Sequence, residues 1–207
     1  MSQFFEIHPD HPQTRLIRQA ATILRDGGLI AVPTDAAYSL VGHTGDAKVI
    51  ERIRRIRGVD ERHHFTLMCR DLSEIATYAR VDNAQFRLLK ATTPGAYTFI
   101  LEGTKELPRR LLHPKRKTIG LRVPDHAVML ALLEELGEPL ISSTLLLPDE
   151  DLPLSDASEI RDRLERELDL VIESGPCGLE PTTVVDLTGG APELIRQGKG
   201  ELRPLGL

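Results

Sequence analysis

Aromatic residues are scarce in this chain of 207 residues, and tryptophan is absent. Phenylalanine and tyrosine together make up only 4% of the sequence. Proteins that hold single-stranded nucleic acid usually stack its bases on such side chains. Stacking on nucleic-acid bases is therefore expected to be sparse.

Cysteine and long hydrophobic runs are also in short supply. Cys69 and Cys177 lie far apart and outside any CxxC pair, which predicts a reducing compartment and no disulfide scaffold. The longest apolar run, Ala127 to Leu133, is far shorter than the roughly 20 residues of a membrane helix. The first residues lack a basic segment followed by an apolar one, so we expect no signal peptide, no membrane partner and a cytoplasmic location.

Charged residues are present in ordinary amounts, but their sign is uneven along the chain. The 26 basic and 31 acidic residues give a net charge of −5. Segment 105–122 is nevertheless predominantly basic, and segment 149–169 is predominantly acidic. The first is suited to an anion and the second would repel one, although two solvated faces of a globular protein would give the same pattern.

The spacing of apolar residues alternates between helical and strand-like periods throughout the chain. This alternation predicts an α/β fold, with one domain over 1–207 and a twisted mixed sheet that carries helices on both faces. Predicted helices cover 13–26, 47–57, 72–78, 84–91, 126–136 and 157–168. Predicted strands cover 29–32, 65–69, 96–101, 118–123, part of 139–147, 170–173, 183–187 and 193–196.

Polar residues gather where predicted strands and helices end, which is where α/β proteins usually bind ligands. Segment 33–40 follows a strand and offers Thr34, Asp35 and Tyr38, with an Asx turn as the structural alternative. Arg55 and Arg57 end a helix just before a glycine. They either stabilise the helix C-terminus or converge on carboxylate or phosphate oxygens.

Later strand ends repeat the combination of hydroxyl and guanidinium groups. Arg122 alternates with its apolar neighbours, so it needs an anion or a carboxylate if its face of the strand is buried. Hydroxyls at a strand end bind phosphate or sugar oxygens, or cap a turn. The hydroxyl-bearing residues are Ser142, Ser143, Thr144, Thr182 and Thr183, and Arg196 supplies a further guanidinium.

Several common catalytic motifs are missing. The chain has neither of the glycine-rich phosphate loops GxxxxGK[ST] and GxGxxG. It also has no GxSxG elbow, so Ser142 and Ser143 are poor candidates for a nucleophile. His63 and His64 lack the spacing to cysteine or acidic partners that a metal site needs, so we expect a surface pair and predict no metal site.

A series of short motifs, in order along the chain, resembles the YrdC-like family and more closely its YciO branch. The motifs are PTDAAYSL (33–40), RIRG (55–58), FTLMCRDL (65–72), TPGAYTFIL (93–101), KRKTIGLRVPDH (115–126), PLISSTL (139–145), PTTVVDL (181–187) and IRQG (195–198). The resemblance spans about residues 15–198 and implies a twisted α/β domain with a wide, positively charged concave cavity.

The resemblance also implies a reaction. Members of this family make threonylcarbamoyl-adenylate from L-threonine, bicarbonate and ATP, the first step of the t6A modification of tRNA. This implies an ATP-dependent nucleotidyltransferase that takes ATP with Mg²⁺ as substrate and has no tightly bound cofactor. Some members are described as binders of double-stranded RNA. A protein that binds double-stranded RNA, tRNA or rRNA without efficient synthase activity is therefore the alternative, and a nucleotide-binding domain acting on another small acid is a third.

Carried over by position, the resemblance implies three groups of site residues. They are Arg55 and Arg57 as catalytic residues, Thr34, Tyr38 and Thr66 as substrate-binding residues, and Arg122, Ser142, Thr144, Thr182 and Arg196 as nucleotide-binding residues. Arg55 stands where the family has a lysine, which keeps the charge but changes its reach. Leu146 stands where the family has an asparagine, so an amide expected to bind the nucleotide is missing. We expect the arginines to gather in one hollow and receive an anionic small molecule.

Overall fold

A ten-stranded mixed sheet organises the chain, and the computed structural model describes all 207 residues. The strands are β1 (Gln3–Glu6), β2 (Ile30–Val32), β3 (Ser39–His43), β4 (Thr66–Met68), β5 (Tyr97–Glu102), β6 (Thr118–Arg122), β7 (Leu140–Thr144), β8 (Leu170–Glu173), β9 (Thr183–Asp186) and β10 (Glu193–Arg196). The helices are α1 (Thr14–Arg25), α2 (Ala47–Arg57), α3 (Leu72–Tyr78), α4 (Asn83–Thr92), α5 (Ala127–Leu136) and α6 (Ala157–Leu164), with 3₁₀ turns at Arg109–Leu111 and Arg203–Leu205.

The order of strands across the sheet is β1-β8-β2-β3-β7-β4-β6-β5-β9-β10. Four neighbouring pairs are parallel: β1 with β8, β2 with β8, β4 with β6, and β5 with β9. The other five pairs are antiparallel. The predicted mixed α/β sheet is thus confirmed.

Two strands were missed by the sequence prediction. The segment of β3 contains serine, glycine and histidine after a polar loop, and it becomes a strand because β2 and β7 pair with it on either side. The edge strand β1 pairs in parallel with β8 only, a partner that is distant in the sequence. The predicted helix over 157–168 also ends earlier, at Leu164.

Helices cover the two faces of the sheet unequally. On one face, α1 and α5 pack their apolar sides onto strand residues such as Ile30, Met68 and Leu140. On the other face, α2, α3, α4 and α6 contribute to a larger core that includes Leu67, Phe99 and other alternate strand residues. The core under α1 and α5 takes residues from β8, β2, β3, β7 and β4 but none from β5, β6 or β9, so that part of the face is left uncovered. None of the helices combines the length and apolarity needed to cross a membrane.

Helix α2 is held at both ends by signals that the sequence carries. The carboxylate of Asp46 accepts the backbone N–H of Lys48 at 2.8 Å and caps the first turn. Gly58 ends the helix in the left-handed region, with φ at +63°. This cap therefore fixes Arg57 as the last residue of the helix.

Candidate functional site: an arginine- and hydroxyl-lined cavity

The uncovered half of the sheet forms the floor of a cavity of about 730 Å³. Side chains alternate along a strand, so the residues of β4, β5, β6 and β9 that face this cavity are flanked by residues such as Leu67, Phe99 and Val185, which enter the large core. The floor residues are Thr66, Thr98, Ile100, Gly120, Val184 and Asp186, joined by Thr144 and Thr182 at the strand ends. The floor is therefore rich in hydroxyl groups.

Gly120 lies in the middle of this floor and has no side chain to project into the cavity. It lies in register with Thr66 on one side and with Ile100 on the other. A methyl group at this position would lie 3.0 Å from Cγ2 of Thr98 and 3.2 Å from Oγ1 of Thr66, which is tighter than ordinary van der Waals contact. The glycine thus leaves room for the side chains of both threonines.

Arg57 reaches the cavity from the C-terminus of α2. Its Nε donates to Oγ of Ser143 at 3.1 Å, and its Nη1 donates to the backbone oxygen of Leu146. Burial, and after it the positive charge of Arg196, lowers the pKa of this guanidinium. Arg57 forms no ion pair with a carboxylate, so its charge is available to an anion in the cavity.

Arg196 approaches the same cavity from the opposite edge of the sheet, on β10. Its Nε and Nη2 donate to the backbone oxygen of Thr182 at 3.3 and 2.9 Å. Burial lowers its pKa as well. The lining also includes Arg62 and Arg116, so four guanidinium groups face two carboxylates, those of Asp151 and Asp186.

Ser143 links Arg57 to a histidine in the cavity wall. Its Oγ lies 3.1 Å from Nε2 of His63 and accepts the Nε hydrogen of Arg57. Since that oxygen already accepts from Arg57, its own hydrogen can point to Nε2, and we infer a neutral His63 that carries its proton on Nδ1. Burial, followed by the charges of Arg57, His64 and Arg54, lowers the pKa of His63 to about 4, while Asp60 opposes the shift.

Asp186 is a buried carboxylate on a floor that otherwise carries hydroxyl and apolar groups. Its Oδ1 accepts the backbone N–H of Thr188 at 2.8 Å and the hydroxyl of the same residue at 2.6 Å. Its Oδ2 lies 4.0 Å from Nη1 of Arg116. The local turn and this arginine thus hold the carboxylate in place.

The expected gathering of four arginines in one hollow is wrong for two of them. Arg55 lies on the outer side of α2, 65% exposed, and donates to Oε2 of Glu167 at 2.6 Å. Arg122 is buried, 5% exposed, and is neutralised by the carboxylate of Asp35. Burial lowers the pKa of Arg122, and Asp35 opposes that shift. Arg57 and Arg196 alone of the four line the cavity.

Some of the predicted hydroxyl-bearing site residues line the cavity and others do not. Thr66, Thr144 and Thr182 line the cavity. Tyr38 lies in the core, 1% exposed, and its hydroxyl donates to the backbone oxygen of Ile172 at 2.9 Å. Its position inside the core does not fit the substrate-binding role that the resemblance implied.

Thr34 and Ser142 are committed to hydrogen bonds within the fold. Thr34 is buried in the turn after β2, where its hydroxyl donates to the backbone oxygen of Ala37 at 2.7 Å. The hydroxyl of Ser142 donates to the backbone oxygen of Thr66 at 2.9 Å. Neither side chain lines the cavity, because each turns to a backbone partner.

Three lining residues were missed as site residues or misjudged from the sequence. His63 is half-buried in the cavity wall, so the expectation of a surface pair is wrong for it. Ser143 was dismissed as a nucleophile, and its contacts with Arg57 and His63 were unforeseen. The signal for Asp186 was the alternation Thr182-x-Val184-x-Asp186, which places all three residues on one face.

Comparisons with known proteins agree with this architecture. A family model described as "Telomere recombination" (Sua5, YciO and YrdC) matches residues 22–198. The chain is 57% identical to YciO of Escherichia coli K12 over 204 residues, covering 99% of each protein. The crystal structure of E. coli YciO superposes with a TM-score of 0.96, at 56% identity, covering 99% of this chain and 100% of that one.

More distant relatives carry an enzyme's name. The chain is 31% identical to threonylcarbamoyl-AMP synthase of Mus musculus over 192 residues, covering 92% of this chain and 67% of that protein. The crystal structure of P. abyssi Sua5 complexed with L-threonine shares the fold, with a TM-score of 0.86 at 24% identity, and covers 95% of this chain and 58% of that one. The chain therefore belongs to the Sua5/YciO/YrdC family.

Proposed function

We propose that the cavity converts L-threonine, bicarbonate and ATP into threonylcarbamoyl-AMP. The observation that carries this proposal is the convergence of Arg57 and Arg196 on a single hydroxyl-lined floor, with no carboxylate paired to either. Two guanidinium groups so placed are suited to carboxylate and phosphate oxygens. Family membership and the synthase name of relatives about 30% identical support the choice of substrates.

The dimensions and lining of the cavity fit ligands of this size. Its volume of about 730 Å³ lies within the range of small-molecule sites, about 300–1,000 Å³. Threonine and serine hydroxyls offer partners for ribose and phosphate oxygens. The lining also contains the apolar side chains of Leu152, Leu179 and Ile195, which are suited to contact with the flat face of a purine.

The reaction asks for positioning and charge neutralisation rather than a side-chain nucleophile. The ammonium group of threonine gives up a proton, and the free amine and bicarbonate then form a carbamate with loss of water. A carbamate oxygen then attacks the α-phosphorus of ATP and pyrophosphate leaves. Guanidinium groups stabilise the negative charge that builds up at the phosphorus. Arg57 and Arg196 are the residues that we assign to this task.

Magnesium would arrive with the triphosphate and would neutralise the β- and γ-phosphates. The structure contains no group of three or more His, Cys, Asp or Glu side chains suited to a resident metal ion. Asp186 on the floor can contribute at most one carboxylate, and it already accepts two hydrogen bonds on Oδ1. Substrate phosphates are therefore the main ligands in this proposal.

The test is pyrophosphate release by the purified protein with threonine, bicarbonate, ATP and Mg²⁺. The proposal requires release that depends on threonine. Arg57→Ala should lower this rate by at least about 100-fold, as loss of a charge-stabilising donor does. Arg55→Ala is the matched control, because this side chain pairs with Glu167 outside the cavity and should leave the rate within about twofold. The proposal is wrong if the wild-type protein shows no threonine-dependent release.

Binding of structured RNA is a second candidate, supported by the basic segment beside the cavity. Arg62 and Arg116 stand in the cavity lining, while Lys115 and Lys117 are exposed on the adjoining loop. Binding through phosphates predicts an affinity for double-stranded RNA or tRNA that falls steeply as salt rises. A flat salt response, or no binding at low salt, would rule this candidate out.

A further inference from the structure

A small second pocket lies behind the wall of the cavity. Residues 62–65 line both spaces, and the rest of the lining of the second pocket consists of Arg54 of α2, Glu61, residues 110–114, Thr118 and Ile119. Its volume is about 10 Å³, which is room for one particle the size of a water molecule. The proposed synthase chemistry makes no use of this space.

Cationic and imidazole groups dominate the lining of this pocket. The ionisable residues are Arg54, Arg62, Arg110, His63, His64 and His113, together with a single carboxylate, Glu61. None of these three arginines takes part in an ion pair. Such a balance of charge favours a negatively charged occupant.

Two buried polar atoms that line the pocket have no hydrogen-bond partner. They are Nε of Arg54 and Oγ1 of Thr118, and the Thr118 side chain belongs to a residue only 3% exposed. The guanidinium of Arg54 lies over the ring of Phe65, 5.6 Å from its centroid. Both atoms can donate a hydrogen, and a buried donor without an acceptor is costly. An acceptor in the pocket would give either atom the partner that it lacks.

We propose that this pocket binds a single monatomic anion such as chloride, held by Nε of Arg54 and Oγ1 of Thr118. The charge of the lining selects an anion over a cation. The volume selects a monatomic ion over sulfate or phosphate, whose four oxygens need more room than one water-sized particle. The site is separate from the synthase cavity and shares only its wall.

An anion here would act on the histidines that form the shared wall. His64 stacks on His113 with their centroids 4.8 Å apart. Nδ1 of His113 accepts the backbone N–H groups of Lys115 and Arg116, so His113 carries its proton on Nε2 when neutral. A negative charge in the pocket favours protonation of neighbouring imidazoles and raises their pKa.

Burial and the charged neighbours of these histidines determine their pKa values when no anion is bound. Burial, His113 and Arg116 lower the pKa of His64, whereas Asp186 raises it. Burial, Arg57, His64 and Arg54 lower the pKa of His63, and Asp60 opposes them. Chloride should therefore shift the titration of both imidazoles upward, and the shift should saturate as the site fills.

Two measurements on the wild-type protein test the proposal directly. Crystals soaked in bromide should show an anomalous peak between Arg54 and Thr118. In solution, the imidazole signals of His63 and His64 should move saturably with chloride and not with sulfate at equal ionic strength, below about 0.15 M. Bromide found only on surface arginines, or equal responses to the two anions, would show that the pocket holds water and would overturn the proposal.

Paired variants separate a built site from general electrostatics. Arg54→Gln and Thr118→Val should each weaken the halide response by about tenfold or more, because each removes a hydrogen bond to a charged partner. Arg55→Gln makes the same charge change one residue away, at an exposed side chain paired with Glu167, and should leave the response unchanged. Equal weakening by Arg54→Gln and Arg55→Gln would refute specific binding.

Discussion

Arg57 and Arg196 in the cavity differ sharply from Arg122 in its buried pair with Asp35. The first two donate to a serine hydroxyl and to backbone oxygens, and no carboxylate neutralises them. Arg122 is almost fully buried against a carboxylate that is itself only 11% exposed. The same side chain therefore serves a ligand in one region and holds the fold together in the other, and the position of the nearest carboxylate decides between the two roles.

The largest effect should follow from breaking the buried pair. Arg122→Met leaves the carboxylate of Asp35 buried without its cation, so we expect a loss of about 3–5 kcal/mol in the free energy of unfolding. Urea denaturation measures this loss. Arg55→Met is the control: it breaks an exposed pair with Glu167 and should cost about 0–1 kcal/mol. Similar losses in the two variants would mean that burial does not distinguish these arginines.

For Arg196, which lines the cavity, we expect the opposite of Arg122: a large loss of ligand binding and a small change in the free energy of unfolding. Arg196→Gln should weaken binding of ATP by about 1.5–3 kcal/mol, because a charged hydrogen bond to an anion is lost. Its effect on the free energy of unfolding should stay within about 0.5 kcal/mol, since its side chain forms no ion pair and bonds only to a backbone oxygen of Thr182. Calorimetric titration and urea denaturation measure the two quantities. Unchanged ATP binding would remove Arg196 from the proposed site.

His63, in the wall of the same cavity, should make the stability of the protein depend on pH. Its pKa of about 4 in the folded protein lies below the unfolded value of about 6.5. Between these values the unfolded chain binds more protons, so the stability contributed by the neutral imidazole is complete above about pH 6.5 and is lost as pH falls toward 4. His63→Gln should remove this part of the acid destabilisation.

The size of that difference is expected to be on the order of 1–2 kcal/mol, after discounting for the water that still reaches a half-buried ring. Urea unfolding at about pH 7.5 and about pH 5 measures it in the wild-type protein and the variant. The wild-type protein should lose more stability between the two conditions. Parallel losses would show that His63 is protonated as easily in the folded protein as in the unfolded chain.

The sequence predicted the elements better than it predicted the contacts between them. Helix α2 was readable from its apolar spacing and from Gly58, which lies one residue past its end. The destination of its arginines was not readable, because Arg55 and Arg57 differ only in their angle around the helix. What separates them is Glu167 beside one and Ser143 beside the other, both distant in the sequence.

The composition of the cavity floor also could not be predicted from the sequence. Thr66, Gly120 and Asp186 share one row across the sheet only because β4, β6, β5 and β9 pair in a particular register. A local pattern gives the alternation within a strand but not which strands become neighbours. Tyr38 illustrates the converse error, since a hydroxyl-bearing residue near a strand end turned into the core to meet Ile172.

The smallest predicted effect concerns Leu146, which lines the cavity where the family pattern implied an asparagine. Its backbone oxygen accepts from Arg57, a contact that a side-chain substitution leaves in place. Leu146→Asn should therefore add an amide beside a preserved arginine and strengthen ATP binding by about 0.5–1.5 kcal/mol. Leu145→Asn is the matched control: its side chain is 0% exposed, so the amide would be buried in the core and should destabilise the fold without improving binding. Binding of ATP that is weaker or unchanged in Leu146→Asn would mean that the nucleotide does not contact the side chain at this position.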